Sequence, residues 1–269
     1  MGQDMAEPKV CVSLEAISVE EMIDEATRAN IAGADYVEVR FDKLYLNKPE
    51  PVISTNDDGE EISKMPPIEE WGVKDFSEID IDASISKLKD GIPVPVVFTV
   101  RSVREGGFFA GNESERLDIL QKAIDSEVTF VDIELSIDTK ERNKLMKSAE
   151  KSNSKVIASI HETKSTPDAE EIVNLVKDNK LNGDIVKFCS SVSNHRDALQ
   201  ILEAASALAS EESNHCLMGL GNGGDWVRLH APVLGQEIVY ATMQNSFRLS
   251  DKGLINVRDL RDAWALMEY

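Results

Sequence analysis

A lysine stands in the middle of an apolar run. Residues 184–191 read DIVKFCSS, and Lys187 is flanked there by Ile185, Val186, Phe188 and Cys189. Lysine is almost never fully buried without a partner, and the ordinary account is a stem that snorkels its ammonium to water. The chemical account is an amine whose pKa is lowered by burial and nearby cations, free to attack a carbonyl and form a Schiff base. The preceding strand-like run, KVIASIHETKSTP, carries His161 at the end of its own apolar segment. An amine and an imidazole ending neighbouring strands are what imine formation followed by proton abstraction requires. Alone, His161 reads as a satisfied structural histidine.

Other charged residues collect at the ends of apolar runs: Glu38 and Arg40, Arg101 followed by Glu105, Glu134, and Arg228. Glu38 and Arg40 are two apart, so they share one face of a strand; as an isolated pair they read as a structural ion pair. Glu134 reads as an interior polar residue without an assigned duty, and Arg104 and Arg116 as solvated. His195, His215 and His230 read as structural. Taken together, the cations, carboxylates, imidazole and amine suit a small, anionic, polyhydroxylated substrate that carries a carbonyl.

The elements that must position these groups are eight strand-like runs: 9–16, 35–42, 94–101, 130–135, 155–162, 184–190, 216–221 and 238–244. Most are near-continuous apolar stretches, the pattern of a sheet covered on both faces. Helical patterns lie between them. Ser18 and Glu21 have capping-box spacing ahead of Met22, Ile23 and Ala26, with Gly33 as the stop. Thr166 and Pro167 offer an N-cap and a first-turn proline before Ile172, Val173, Leu175 and Val176. Leu199, Ile201, Leu202, Ala205 and Leu208 mark another helix, and Asn256 opens the last, with Val257, Leu260, Ala263, Trp264 and Met267 on its apolar side. Strand and helix in alternation imply parallel βαβ units, and eight of them imply a single-domain (β/α)8 TIM barrel across 1–269. An open doubly wound sheet is the alternative, but no G-x-G-x-x-G follows the first strand. One segment breaks the rhythm. Residues 43–80, with Pro49, Pro51, the acidic run 56–61 and Pro66-Pro67, read as a long insertion after the second strand.

The composition excludes several classes. The 269 residues are 42% hydrophobic and 29% charged, ordinary for a globular chain, and no run approaches the length of a membrane span. The net charge of −20 argues against nucleic acid as a partner and reads as a solvated acidic surface. Cys11, Cys189 and Cys216 lack metal-ligand spacing and read as reduced core residues. The N-terminal MGQDMAEPK has no signal-peptide core, so a cytoplasmic protein is expected.

Five motifs, in order along the chain, give a family resemblance: Glu38-Val39-Arg40; Thr99-Val100-Arg101-Ser102-Val103-Arg104-Glu105-Gly106-Gly107; Val131-Asp132-Ile133-Glu134-Leu135; Ser159-Ile160-His161 with Thr166-Pro167; and Asp184-Ile185-Val186-Lys187. The sequence resembles type I 3-dehydroquinate dehydratase, a shikimate-pathway barrel enzyme that works through a lysine imine. The resemblance implies that Lys187 forms the imine, that His161 is the general base and then acid, and that Glu105 orients it. It also implies that Glu38, Arg40 and Arg101 hold the ring hydroxyls, that Arg228 pairs bidentately with the carboxylate, and that the cations keep Lys187 deprotonated. No metal or organic cofactor is implied. The expected partners are the small anionic substrate 3-dehydroquinate and a second copy of the chain, as a homodimer, with neither nucleic acid nor membrane. Two departures stand out. The glycine-rich 219–227 segment is longer than in the family, and the final loop reads Ser250-Asp251-Lys252-Gly253-Leu254, without the family's glutamine. Ser250 and Gly253 are family-like and imply a lid, whose contact with substrate is expected from Ser250, Lys252 or backbone. A lysine-imine aldolase and a catalytically inactive barrel acting as a binding subunit are the rival readings.

Overall fold

In the computed structural model, which describes residues 7–55, 61–211, 213–245 and 248–269, eight parallel strands form one sheet. β1 (Lys9–Ser13) leads to α1 (Val19–Ile31), β2 (Tyr36–Arg40) to α2 (Ile81–Gly91), β3 (Val96–Thr99) to α3 (Glu113–Asp125), and β4 (Phe130–Glu134) to α4 (Thr139–Lys151). The second half repeats the unit: β5 (Lys155–Glu162), α5 (Ala169–Asn179), β6 (Ile185–Ser191), α6 (His195–Leu208), β7 (His215–Leu220), α7 (Trp226–Leu229), β8 (Ile238–Ala241) and α8 (Val257–Leu266). The spatial order is β7-β6-β5-β4-β3-β2-β1-β8. The two ends of the sheet meet where the Glu237 N–H donates to the His215 carbonyl at 3.0 Å. Beside it, the Leu217 N–H donates to the Gln236 side-chain oxygen at 2.7 Å. The expected (β/α)8 barrel is therefore the architecture, and its near closure rules out the open doubly wound sheet.

The strand alternation separates two packing layers. Outward-facing residues such as Val10, Val12, Val37, Val39, Val131 and Ile133 are buried against the helices, and a second cluster around Val186, Phe188, Ile201 and Leu217 continues the shell. Each such side chain contributes roughly 1.5–3 kcal/mol, so the outer shell stabilises the fold and leaves the interior free to be polar. Inward-facing Cys11, Val97, Phe130, Ile157, Ile185 and Ile238 fill the lower barrel. Above them the interior becomes charged.

The helix starts follow local hydrogen bonding. Ser18 accepts from the Glu21 N–H, and Asn256 from that of Arg258, as their positions predict. Gly33 closes the first unit at φ +103°, a conformation that costs glycine nothing. Two expectations are corrected. The N-cap of α5 is Asp168, which forms a capping box with Glu171, because the Thr166 hydroxyl is already donated to the Ser191 carbonyl at 2.8 Å. Leu199 lies on the solvent side of α6, 52% exposed.

The segment 43–80 is anchored more deeply than a surface insertion. Lys43, Leu44, Tyr45 and Leu46 are buried, and Tyr45 stacks on Phe76 at 6.1 Å and meets Phe109 edge-on at 5.3 Å. Leu46–Asn47 pairs with Gly72–Val73, while Val52–Thr55 and Glu61–Lys64 form an exposed antiparallel hairpin. The acidic tip, 56–60, lies outside the described residues, as do 1–6. Among the described residues no helix is long and apolar enough to cross a membrane.

Candidate active site

A cavity of about 300 Å³ opens at the C-terminal ends of the strands, the face on which barrels of this kind place their chemistry. Lys187, His161, Glu105, Glu38, Arg40, Arg101 and Arg228 all line it. The strand register explains this. Lys187 lies level with Ser159, and Ser159 with Glu134, so inward positions of β4, β5 and β6 form one layer. His161, two residues beyond Ser159, stands on the same face one step nearer the rim.

The Lys187 ammonium is enclosed. Its Nζ lies 3.1 Å from Asp132 Oδ2 and 3.5 Å from Glu38 Oε1, and it sits over the Tyr240 ring at 4.2 Å from the centroid. Burial opposes its charge, but Asp132 and then Glu38 outweigh burial and hold its pKa above the ordinary lysine value. The expectation that cations keep Lys187 deprotonated is thus corrected: Arg101 acts in that direction, and two carboxylates closer at hand prevail.

Arg101 is 3% exposed and tied into the same layer. It donates to Asp132 at 2.8 Å, Glu134 at 3.1 Å and Ser159 at 3.0 Å. Glu134, left without a duty by the sequence, accepts from Arg101 and from both the backbone N–H and hydroxyl of Ser102. It also pairs with Arg116 at 3.1 Å. Arg116 is therefore buried rather than solvated, and it donates to the Val100 carbonyl as well. Arg104 is exposed as expected. Burying several charges is tolerated when each is paired and hydrogen-bonded, and breaking one such pair is costly.

Glu105 reaches the site through a tight turn. Gly106 adopts φ +77°, and a Cβ on Gly107 would come within 2.2 Å of the Arg101 carbonyl oxygen, so the chain can fold back here only with glycine. This places Glu105 Oε2 2.9 Å from His161 Nδ1. Burial and the Glu134 charge push the Glu105 carboxyl up to about 7. Burial, then Arg101 and Lys187, hold the imidazole well below its ordinary value, so His161 is neutral. An ionised Glu105 can only accept, which puts the imidazole proton on Nδ1 and leaves Nε2 with its lone pair.

Glu38 and Arg40 do not form the ion pair that their spacing suggested. Glu38 accepts from Ser13 at 2.6 Å and from Thr99 at 2.9 Å. Arg40 forms two bonds to the buried Asp42, at 2.9 and 2.7 Å, which leave part of its guanidinium at the cavity. On the opposite wall, Arg228 is 2% exposed and forms no salt bridge with any described residue. It donates to the carbonyls of Tyr240, Gly219 and Gly224 at 2.9, 2.8 and 2.7 Å. Burial lowers its pKa, because the nearby charges that favour the cation, Asp225 among them, do not make up for the lost hydration. Met218, Leu220, Tyr240 and Leu254 line this wall. Ser250 is exposed on the Ser250–Lys252 turn and is not part of the lining, whereas Leu254 is.

Sequence reasoning missed Asp132, Asp42, Tyr240 and the lining role of Cys189, which was read as core only. Asp132 carried a usable signal: it precedes Glu134 by two in an apolar strand, the rule already applied to Glu38 and Arg40. Cys189 stands two beyond Lys187 and obeys it too. Among the described residues, no group of three or more His, Cys, Asp or Glu is placed to hold a metal.

Comparison with known proteins places the chain in a family. The profile of the family described as type I 3-dehydroquinase matches residues 10–269. The chain belongs to the type I 3-dehydroquinase family. It is accordingly a lyase. A 3-dehydroquinate dehydratase of Methanocaldococcus jannaschii is 32% identical over 199 residues, 73% of this chain and 84% of that one. One from Methanosarcina barkeri is 27% identical across 100% of this chain and 99% of its own. The fold matches a type I 3-dehydroquinate dehydratase from Clostridium difficile, solved with covalently modified comenic acid. The TM-score is 0.78, at 23% identity, over 98% of this chain and 93% of that one. The Geobacillus kaustophilus 3-dehydroquinate dehydratase gives 0.77 at 21% identity, covering 98% and 92%.

Proposed function

We propose that the protein converts 3-dehydroquinate to 3-dehydroshikimate in the shikimate pathway through an imine on Lys187. The observation that carries this reading is the buried Lys187 nitrogen sharing one cavity with a neutral His161 held by Glu105. Lys187 condenses with the ring ketone, releasing water, and the iminium draws electrons from the adjacent carbon. His161 Nε2 removes a proton from that carbon. The resulting imidazolium protonates the departing hydroxyl, which leaves as water, and hydrolysis of the iminium frees the conjugated enone. Glu105 holds the imidazole in the tautomer that can accept. Glu38, Arg40 and Arg101 are proposed to face the ring hydroxyls, directly or by ordering that wall. Arg228, a buried cation lacking an anion, is proposed to receive the substrate carboxylate. Ser250 is proposed to reach substrate only through movement of its turn.

The partners proposed are this anion and a second copy of the chain, the latter tested by sedimentation velocity. Three free buried thiols fit the reducing cytoplasm proposed as the location. The decisive experiment is borohydride reduction in the presence of 3-dehydroquinate, followed by peptide mass mapping. A stable adduct on the Lys187 peptide is expected. Trapping on another lysine, or none, sinks the imine reading. An aldolase is separated from it by the absorbance of the conjugated product.

A further inference from the structure

The mechanism above leaves unassigned the carboxylate that lies nearest the Lys187 nitrogen. Asp132 is 3% exposed. Its Oδ2 accepts from Lys187 at 3.1 Å and from Arg101 at 2.8 Å, and its Oδ1 from the Ser159 hydroxyl at 2.5 Å. We propose that Asp132 is the fixed counter-ion of the Lys187 nitrogen, accompanying it from resting ammonium to iminium, with Glu38 and the Tyr240 ring completing the enclosure. This rests on the imine reading of the preceding subsection.

The overall exchange is R–NH3⁺ + O=C → R–NH⁺=C + H2O. A carbon–nitrogen bond forms, the carbon–oxygen bond breaks, and two of the three ammonium hydrogens leave on the water. One positive charge stands on the nitrogen before and after. An environment built for the ammonium therefore serves the iminium without reorganisation, which is the condition for effective electrostatic stabilisation. The iminium keeps one N–H for Asp132.

A resting neutral amine would not fit this layer. It would leave Asp132 and Glu38 facing each other with their shared cation removed, a costly arrangement in a buried site. Nor is Asp132 suited to be a base. Although burial favours its protonated form, Arg101 and Lys187 hold it far below the usual carboxylate range. It cannot move aside, because Ser159 and Arg101 hold one oxygen each. Tyr240 contributes its ring face only, for its hydroxyl is buried with no hydrogen-bond partner among the described residues.

The test uses the full-length His161→Ala protein, in which the adduct is expected to form and then stall. It is mixed with 3-dehydroquinate in weak buffer near neutral pH with an indicator dye, and the Lys187 adduct is counted by mass. No net proton exchange per adduct is expected. Uptake of about one proton per adduct would mean a neutral resting amine and would overturn the proposal. Adding Asp132→Asn should move the midpoint of adduct formation against pH downward by about 1–3 pH units. Asp132→Glu, which restores the charge, should return the midpoint toward its starting value. An unchanged midpoint in Asp132→Asn overturns the proposal. Should Asp132→Asn fail to fold, the proton count in His161→Ala alone decides. Absence of any adduct on Lys187, seen directly by mass, sinks the imine reading and the proposal with it.

Discussion

The two walls of the cavity are built on opposite rules. On the β2–β6 side the charged groups are partnered within the fold: Lys187 with Asp132 and Glu38, Arg101 with Asp132 and Glu134, Arg40 with Asp42, His161 with Glu105. On the β7–β8 side Arg228 is held by three backbone carbonyls and sits among Met218, Leu220, Tyr240 and Leu254. Paired charges lock side chains and tune their proton affinity. A buried cation that no described carboxylate pairs leaves room for the carboxylate proposed to bind there. If the proposed roles hold, changes at Lys187, His161 and Glu105 on the first wall should appear in kcat, and changes at Arg228 on the second in KM.

The largest effect should come from His161→Ala. Covalent trapping on Lys187 is retained, while kcat falls by roughly 10²–10⁴-fold. Near-normal kcat would place the base elsewhere and remove the first wall's claim to the chemistry. Next comes Arg228→Gln, which should weaken kcat/KM by about 10–100-fold, chiefly through KM, as expected for a lost charge-assisted contact. A fall confined to kcat would erase the contrast between the walls.

The pH profile sharpens it further. Glu105 is pushed up to about 7, so its carboxylate form is gained above that value and lost below it. Once protonated, Glu105 donates to His161 Nδ1, the proton of the imidazole moves to Nε2, and the base is lost. The rate should therefore decline as pH falls through about 7. In Glu105→Gln this limb should disappear while kcat drops by about tenfold, less than for His161→Ala. A limb that survives Glu105→Gln belongs to another group. The smallest effect should be at the exposed turn. Ser250→Ala should raise KM by only about two- to fivefold, the loss of one neutral hydrogen bond. An unchanged KM would show that the turn carrying Ser250 does not close over the substrate.

Much of the first wall was legible as a cluster of chemistry-bearing residues at one end of the barrel. A lysine inside an apolar strand, a histidine ending the strand before it, and a carboxylate beside paired glycines violate the local rules that ordinary strands and turns obey. Such violations mark a site because the chain has no packing reason to keep them. The alternation of apolar runs with capped helical patterns was equally sufficient for the barrel, since eight βα units have few ways to bury both faces of their strands.

What the chain alone did not determine is which charge answers which. Glu38 and Arg40, neighbours on one strand face, take different partners, because Ser13 and Thr99 approach Glu38 from adjacent strands while Asp42 turns back onto Arg40. Arg116, on a helix, reads as solvent-facing until α3 packs it over the Val100 carbonyl and Glu134. The charge state of Lys187 is the clearest case. Sequence supplies the lysine and its apolar flanks, which argue for a neutral amine. The barrel's register brings Asp132 from β4 and Glu38 from β2 to the same nitrogen, and Coulomb attraction at 3.1 and 3.5 Å in a buried site outweighs desolvation. Local chemistry thus selects the residues that can react. Closing the barrel sets their distances, and the distances decide their protonation.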